Sequence, residues 1–146
     1  MYEITENGRI ICARNDKYEI RIYDNDENKL LMRILKEYVP VRLTQKDIEE
    51  YLERFSPQEI KNMNLPANLP PFKYIQSDEE ERIFVETFER ASESSNYYDV
   101  FDKEGKYLVK IPLPSYPFIK KNKFYFVLED EDGYQYVKRY KVTWKY

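Results

Sequence analysis

Acids, lysines and tyrosines are the residues of this chain that could do chemistry, because it contains no histidine. That removes histidine-based triads, histidine metal sites and the side chain that most often serves as a general base near neutral pH. The single cysteine, Cys12, lies between Ile11 and Ala13 and has no histidine to activate it. It reads as a small buried hydrophobe of blunted nucleophilicity, and alone it makes no internal disulfide. Three acidic stretches stand out: Asp24-Asn25-Asp26-Glu27-Asn28, Asp78-Glu79-Glu80-Glu81 and Asp130-Glu131-Asp132-Gly133. The first spaces its oxygens like the start of a calcium loop, but an EF-hand needs Gly where Lys29 stands and Glu where Leu35 stands. All three are expected at hairpin tips, where charge keeps a turn in water. No metal ligand, cofactor or catalytic residue is assigned to them. The 27 acids could hold a carboxylate pair at glycosidase spacing, yet no local motif singles out two of them.

The locally basic region is the C-terminal run, in which Tyr134, Tyr136, Tyr140 and Trp144 alternate with Lys138, Arg139, Lys141 and Lys145, and Lys120, Lys121 and Lys123 lie just upstream. Cations interleaved with aromatics are what single-stranded nucleic-acid grooves use. The competing reading is a twisted strand with aromatics inward and cations outward. Overall charge favours that reading, since 24 Lys and Arg against 27 Asp and Glu leave a net charge of -3. The expected contact residues are Tyr97, Tyr98, Tyr134, Tyr136, Lys138, Arg139 and Trp144, chosen because they stand near turns or near the open C-terminal end.

The elements that must position these residues come as a repeat. An apolar run at 9–13, an aromatic alternating strand at 18–24 and a second apolar strand at 29–34 recur as 82–86, 97–102 and 106–111, with a partial third copy at 123–128 and 134–140. With 15 Tyr, eight Phe and only three Gly, large flat side chains carry much of the packing, which favours strands over helices. Alternation and turn residues predict strands at 8–15, 18–24, 29–35, 72–76, 82–89, 96–102, 107–113, 117–120, 123–129 and 134–144. The first is apolar at successive positions, as expected of a strand covered on both faces; the second alternates, as expected of a half-exposed one.

Residues 39–71 break the repeat. Thr44 to Asp47 fits an N-terminal capping signature, and Ile48, Tyr51, Leu52 and Phe55 follow at helical spacing. Ser56-Pro57 restarts a turn of helix, and the proline-rich 64–71 ends it. The expected fold class is therefore all-β: about three blade-like antiparallel meander sheets with a short helical insertion. The chain forms one domain, with a first unit at 1–38, an insertion at 39–71 lying over one rim of the sheets, a second unit at 72–114 and an incomplete last unit at 115–146.

The stretch Phe101-Asp102-Lys103-Glu104-Gly105-Lys106-Tyr107-Leu108 resembles the blade signature of NHL-like six-bladed β-propellers, and the run from Tyr97 through Trp144 is similar to the C-terminal end of uncharacterised bacterial members of that class. The first copy departs from it, with Glu27-Asn28 in place of Glu104-Gly105 and one residue more. The resemblance implies blades and no active site. At about 40 residues per blade, 146 residues supply about three, half of a six-bladed ring. Terminal blades then keep an uncovered apolar face, so a second copy (a homodimer) or a partner chain is expected to cover them, unless the first and last units curl into a sandwich-like monomer. The expected function is a non-catalytic binding or scaffold module. The alternatives are a carboxylate-dependent hydrolase acting on carbohydrate or ester, and a binder of single-stranded nucleic acid. No run approaches the roughly 20 apolar residues of a membrane span, and Met1 to Glu6 has no signal-peptide pattern. That predicts no membrane partner and a cytoplasmic location for the chain as given, or an exported one if it belongs to a longer precursor.

Overall fold

A computed structural model describes residues 1–14, 16–53, 55–60, 62–114 and 116–144, apart from the side chains at 47, 50 and 51. The fold is all-β, with three antiparallel sheets, none of them closed. The first sheet is a meander of β1 (Tyr2–Ile4), β2 (Ile10–Arg14), β3 (Glu19–Tyr23) and β4 (Leu30–Leu35). The second repeats that order with β5 (Phe72–Ser77), β6 (Ile83–Ser92), β7 (Ser95–Phe101) and β8 (Tyr107–Pro114). The third holds β9 (Phe118–Lys120), β10 (Lys123–Glu129) and β11 (Gln135–Lys141). The predicted strands recur with ends shifted by a few residues, and β1 is added to them. The end of the first predicted strand at Asn15, the helical face at Tyr51, Ser115 at the start of the last unit, and Lys145 and Tyr146 lie outside the described residues.

One turn closes most of the hairpins, and it explains the acidic stretches. Asp78, Asp102 and Asp130 each accept backbone N–H groups from the residues two and four positions on. The fourth residue of each turn, Glu81, Gly105 or Gly133, takes a left-handed conformation. This is a type I turn followed by a left-handed bulge residue, which matches the twist of the flanking strands. Between β1 and β2, Thr5 Oγ1 accepts from the Arg9 N–H four positions on, and Gly8 takes the left-handed place. In the longer first-copy turn, Asp24 accepts from Asp26 and Glu27, and Asn28 takes the left-handed place of Gly105. The extra residue lies within the turn itself: the Asp24 N–H donates to the Lys29 carbonyl five positions on, whereas the Asp102 N–H donates to the Lys106 carbonyl four positions on, and the strands behind both turns carry the same register shift.

The three sheets stack in chain order. One core joins Ile11, Ala13, Tyr18, Ile20, Ile22 and Ile34 of the first unit to Phe72, Ile75, Ile83, Val85 and Phe101 of the second. The other joins Phe84, Tyr98 and Val100 of the second to Ile119, Phe124 and Phe126 of the third. Strand alternation sends Ile83 and Val85 one way and Phe84 the other, so the middle sheet is covered on both faces.

Two expectations are corrected by this stacking. The β2 strand is not covered on both faces: Ile11 and Ala13 are buried, while Ile10 and Cys12 on the other face are half-buried, because the first sheet is the outermost layer. Cys12 therefore lines a shallow depression with Ile10, Arg14, Arg21, Tyr23 and Asn28, rather than the core. The insertion holds α1 (Gln45–Leu52) and α2 (Pro57–Ile60), the latter opened by Ser56, whose N–H and hydroxyl both donate to Glu59. A bridge between Arg42 and Asn68 closes its stem. Among the described residues no helix is long and apolar enough to cross a membrane.

Candidate functional site: the third sheet

The pairing of β9, β10 and β11 determines which residues share a face. Lys120 is opposite Lys123, and Lys123 is opposite Lys141, so three lysines cross the sheet in one row. The next row on the same face is Phe118, Tyr125 and Arg139, and the one after it is Val127 and Val137. This face points away from the core, and Phe118, Val127 and Val137 are 64%, 68% and 67% exposed. Like charges directly opposite on a sheet repel. Lys120 escapes that repulsion by pairing with Glu6 and, at 2.9 Å, with Glu79, and these two carboxylates push its ammonium up to about 12. Lys123, Arg139 and Lys141 make no salt bridge among the described residues. The Phe118 and Tyr125 rings lie 6.0 Å apart, tilted by 55°, and form a small aromatic platform beside the cation row.

The predicted contact residues are distributed over several places. Of them, Arg139 alone belongs to this outer face. Tyr136 and Lys138 are opposite Leu128 and Phe126, on the inner face of β11, where that strand extends beyond the cover of the second sheet. Lys138 is held 5.2 Å over the Tyr140 ring, and the hydrogen bond between them raises its ammonium pKa. Tyr134 is exposed at the hairpin tip. Trp144 is half-buried against Phe84 at 6.0 Å, beneath the Arg82 guanidinium at 4.6 Å. Tyr97 lies on the middle sheet with Lys110 over its ring. Tyr98 is a core residue: it is 0% exposed, and its hydroxyl donates to Glu86 at 2.6 Å while accepting from the Tyr116 N–H. It offers no surface to a ligand. Lys123, Lys141, Phe118 and Tyr125 were not among the predicted contact residues. The signals that find them are two turns: the one at Asp130 sets Glu129 opposite Gln135 and hence Lys123 opposite Lys141, and the one at Lys121 and Asn122 sets Phe118 opposite Tyr125.

A cleft of about 330 Å³ opens between the insertion stem and the first two sheets, walled by Tyr18, Tyr38, Val41, Pro70 and Phe88. At its floor Asp99 is fully buried and accepts from the Tyr18 hydroxyl at 2.8 Å and the Lys36 ammonium at 3.0 Å. Burial, reinforced by Asp99, pushes the Tyr18 phenol far up and the Tyr107 phenol up as well. Lys110 closes on Glu89 at 2.5 Å. Tyr18 and Lys36 both bind Asp99 Oδ2, while Asp99 Oδ1 is buried without a hydrogen-bond partner among the described residues; Lys110 binds Glu89, so each of these acids already faces a cation. Glu3, whose carboxyl is pushed up by burial, lies on β1 and does not line the cleft. Among the described residues no group of three or more His, Cys, Asp or Glu could hold a metal ion.

Compared with family models, with curated proteins and with solved structures, the chain finds no match.

Proposed function

We propose that the chain is a non-catalytic binding module, a half-ring of three propeller-like blades whose working surface is the outer face of the third sheet. The observation that carries this reading is the inequality of the sheet faces. The middle sheet is covered on both sides, and the first sheet's outer face exposes Tyr2, Ile4 and Leu35 but pairs Lys17, Arg21 and Arg33 with Glu19; the third sheet's outer side keeps exposed apolar residues beside three cations that have no salt bridge among the described residues. A contiguous patch of that kind marks an interaction site. Against a hydrolase stand the paired carboxylates of the cleft, where Asp99 and Glu89 are already committed to Lys36 and Lys110.

Two copies closing head to tail would set the first sheet of one against the third sheet of the other. The outer face of the first sheet is also cationic: Lys17, Arg21 and Arg33 surround Glu19. Closure would place cations against cations, which favours a partner of opposite charge over a second copy. The mass in solution tests this. The expected result is a single species near 17.9 kDa that binds dyes specific for exposed apolar surface. A stable species of about twice that mass, dispersed by Val137→Glu, would replace this reading with a ring closed by two copies.

A further inference from the structure

We infer that the outer face of the third sheet binds single-stranded nucleic acid; the inference rests on that face being the working surface. The argument comes from the register. Lys123 and Lys141 form a like-charged pair across β10 and β11 that no acid neutralises among the described residues, and Arg139 stands one row away. Next to this cation row lies a ring row, Phe118 and Tyr125, with Phe118 largely exposed. Neighbouring strands are about 4.8 Å apart, and residues two apart on one strand are about 6.7 Å apart, so the Lys123–Lys141 pair lies in the row beside the Phe118 and Tyr125 rings, with Arg139 at the β11 end of the ring row. A single strand of nucleic acid presents the same pair of rows, phosphates along one edge and unstacked bases along the other. Phosphates laid on Lys123, Lys141 and Arg139 bring bases onto Phe118 and Tyr125, the arrangement of a stacking platform beside an electrostatic track. An acidic peptide would use the cations and leave the rings bare. With -3 overall the chain does not attract a polyanion as a whole, and the first sheet's outer cations are engaged with Glu19, so an anionic strand is drawn to the cations of this face that have no acid partner among the described residues.

The test is fluorescence anisotropy of a labelled oligodeoxythymidine titrated with the full chain at several salt concentrations. Three phosphate contacts predict a slope of log affinity against log salt near -2, hence roughly twentyfold weaker binding when salt rises fourfold. The paired reversal Lys123→Glu with Lys141→Glu keeps a like-charged pair between β10 and β11 and makes the Lys120 pair on β9 attractive, so it does not weaken the sheet, and it is expected to abolish binding. Phe118→Ala and Tyr125→Ala should each weaken it about five- to 150-fold, whereas Lys103→Glu, at an exposed turn of the middle sheet, should not change it. The inference is overturned if the oligonucleotide does not bind at low salt, if polyphosphate of equal charge binds as tightly, or if the paired reversal still binds. A monomeric sample that fails these tests sinks nucleic acid alone, whereas a dimer with this face buried sinks the reading beneath it.

Discussion

Glu19 stands on the outer face of the first sheet yet is completely buried, because Lys17, Arg21 and Arg33 close over it at 2.6, 2.7 and 2.9 Å. The hydrogen bonds from Lys17 and Arg21 hold its carboxyl at about 2, below the ordinary 4.5. A carboxyl depressed in the folded state stabilises the fold above its unfolded value and loses that contribution as pH falls. Thermal melts should therefore show wild type more stable than Glu19→Gln at neutral pH, with the gap closing as pH falls from 4.5 towards 2; a gap that stays constant would mean the three cations do not act on this carboxylate. Tyr98 poses the other question at this scale. Removing its hydroxyl leaves the buried Glu86 Oε2 and the Tyr116 N–H each without this partner. Tyr98→Phe should cost about 1–3 kcal/mol in urea unfolding and leave oligonucleotide binding unchanged, the reverse of what a contact residue would show. The adjacent aromatics Tyr97 and Tyr98 could not be told apart in the sequence. Either can face inward on a strand covered on both sides, and that cover is supplied by residues distant in the chain.

The turns are the elements most directly dictated by local sequence. An Asp followed three residues later by Gly, Asn or Glu in a left-handed conformation recurs at Asp78, Asp102 and Asp130 and, one residue longer, at Asp24. Two glycines at equivalent turn positions nevertheless differ in surroundings. A methyl group on Gly105 would run into Met32 Sδ and meet Ile34 Cγ1 at 3.1 Å, since this hairpin tip rests on the first sheet. At Gly133 the nearest atom would be 4.0 Å away. Both alanine variants lose about 1–2 kcal/mol to the left-handed backbone, and Gly105→Ala should lose a further 1–3 kcal/mol, roughly, to overpacking. Equal urea midpoints for the two variants would show that the second hairpin does not bear on the first sheet. The strands and the helical insertion were legible because alternation, caps and turn residues are local signals. The short β1 was not: the three residues Tyr2–Ile4 carry no periodicity, and what holds them is remote, Glu3 accepting from the Ser77 N–H and hydroxyl. The split of β11 into an outer Arg139 and an inner Lys138 follows from the Asp130 turn, but which face is bare depends on where the second sheet ends.

At the scale of the molecule, three layers with two cores predict a gradient of local stability. The middle sheet contributes Ile83 and Val85 to one core and Phe84, Tyr98 and Val100 to the other, so its opening exposes both cores at once. Its β6 and β7 amides should exchange with deuterium only through global unfolding, at the slowest rates in the chain. The third sheet is covered on one face, and β11 pairs with β10 alone while its whole length is exposed. An edge strand of this kind opens without disturbing the cores, so its amides should exchange faster than those of β6 by several orders of magnitude. Phe84→Ala tests the coupling: truncating a ring fully buried between Phe124 and Trp144 should cost about 3–5 kcal/mol. It should also speed exchange in β6 and β7 by the whole of that amount, because they share the global opening, while β11, which already exchanges by fraying, changes little. Equal acceleration in all three strands would mean that β11 opens only with the cores. The outer face of the third sheet would then be part of the cooperative body rather than a surface kept available for a partner.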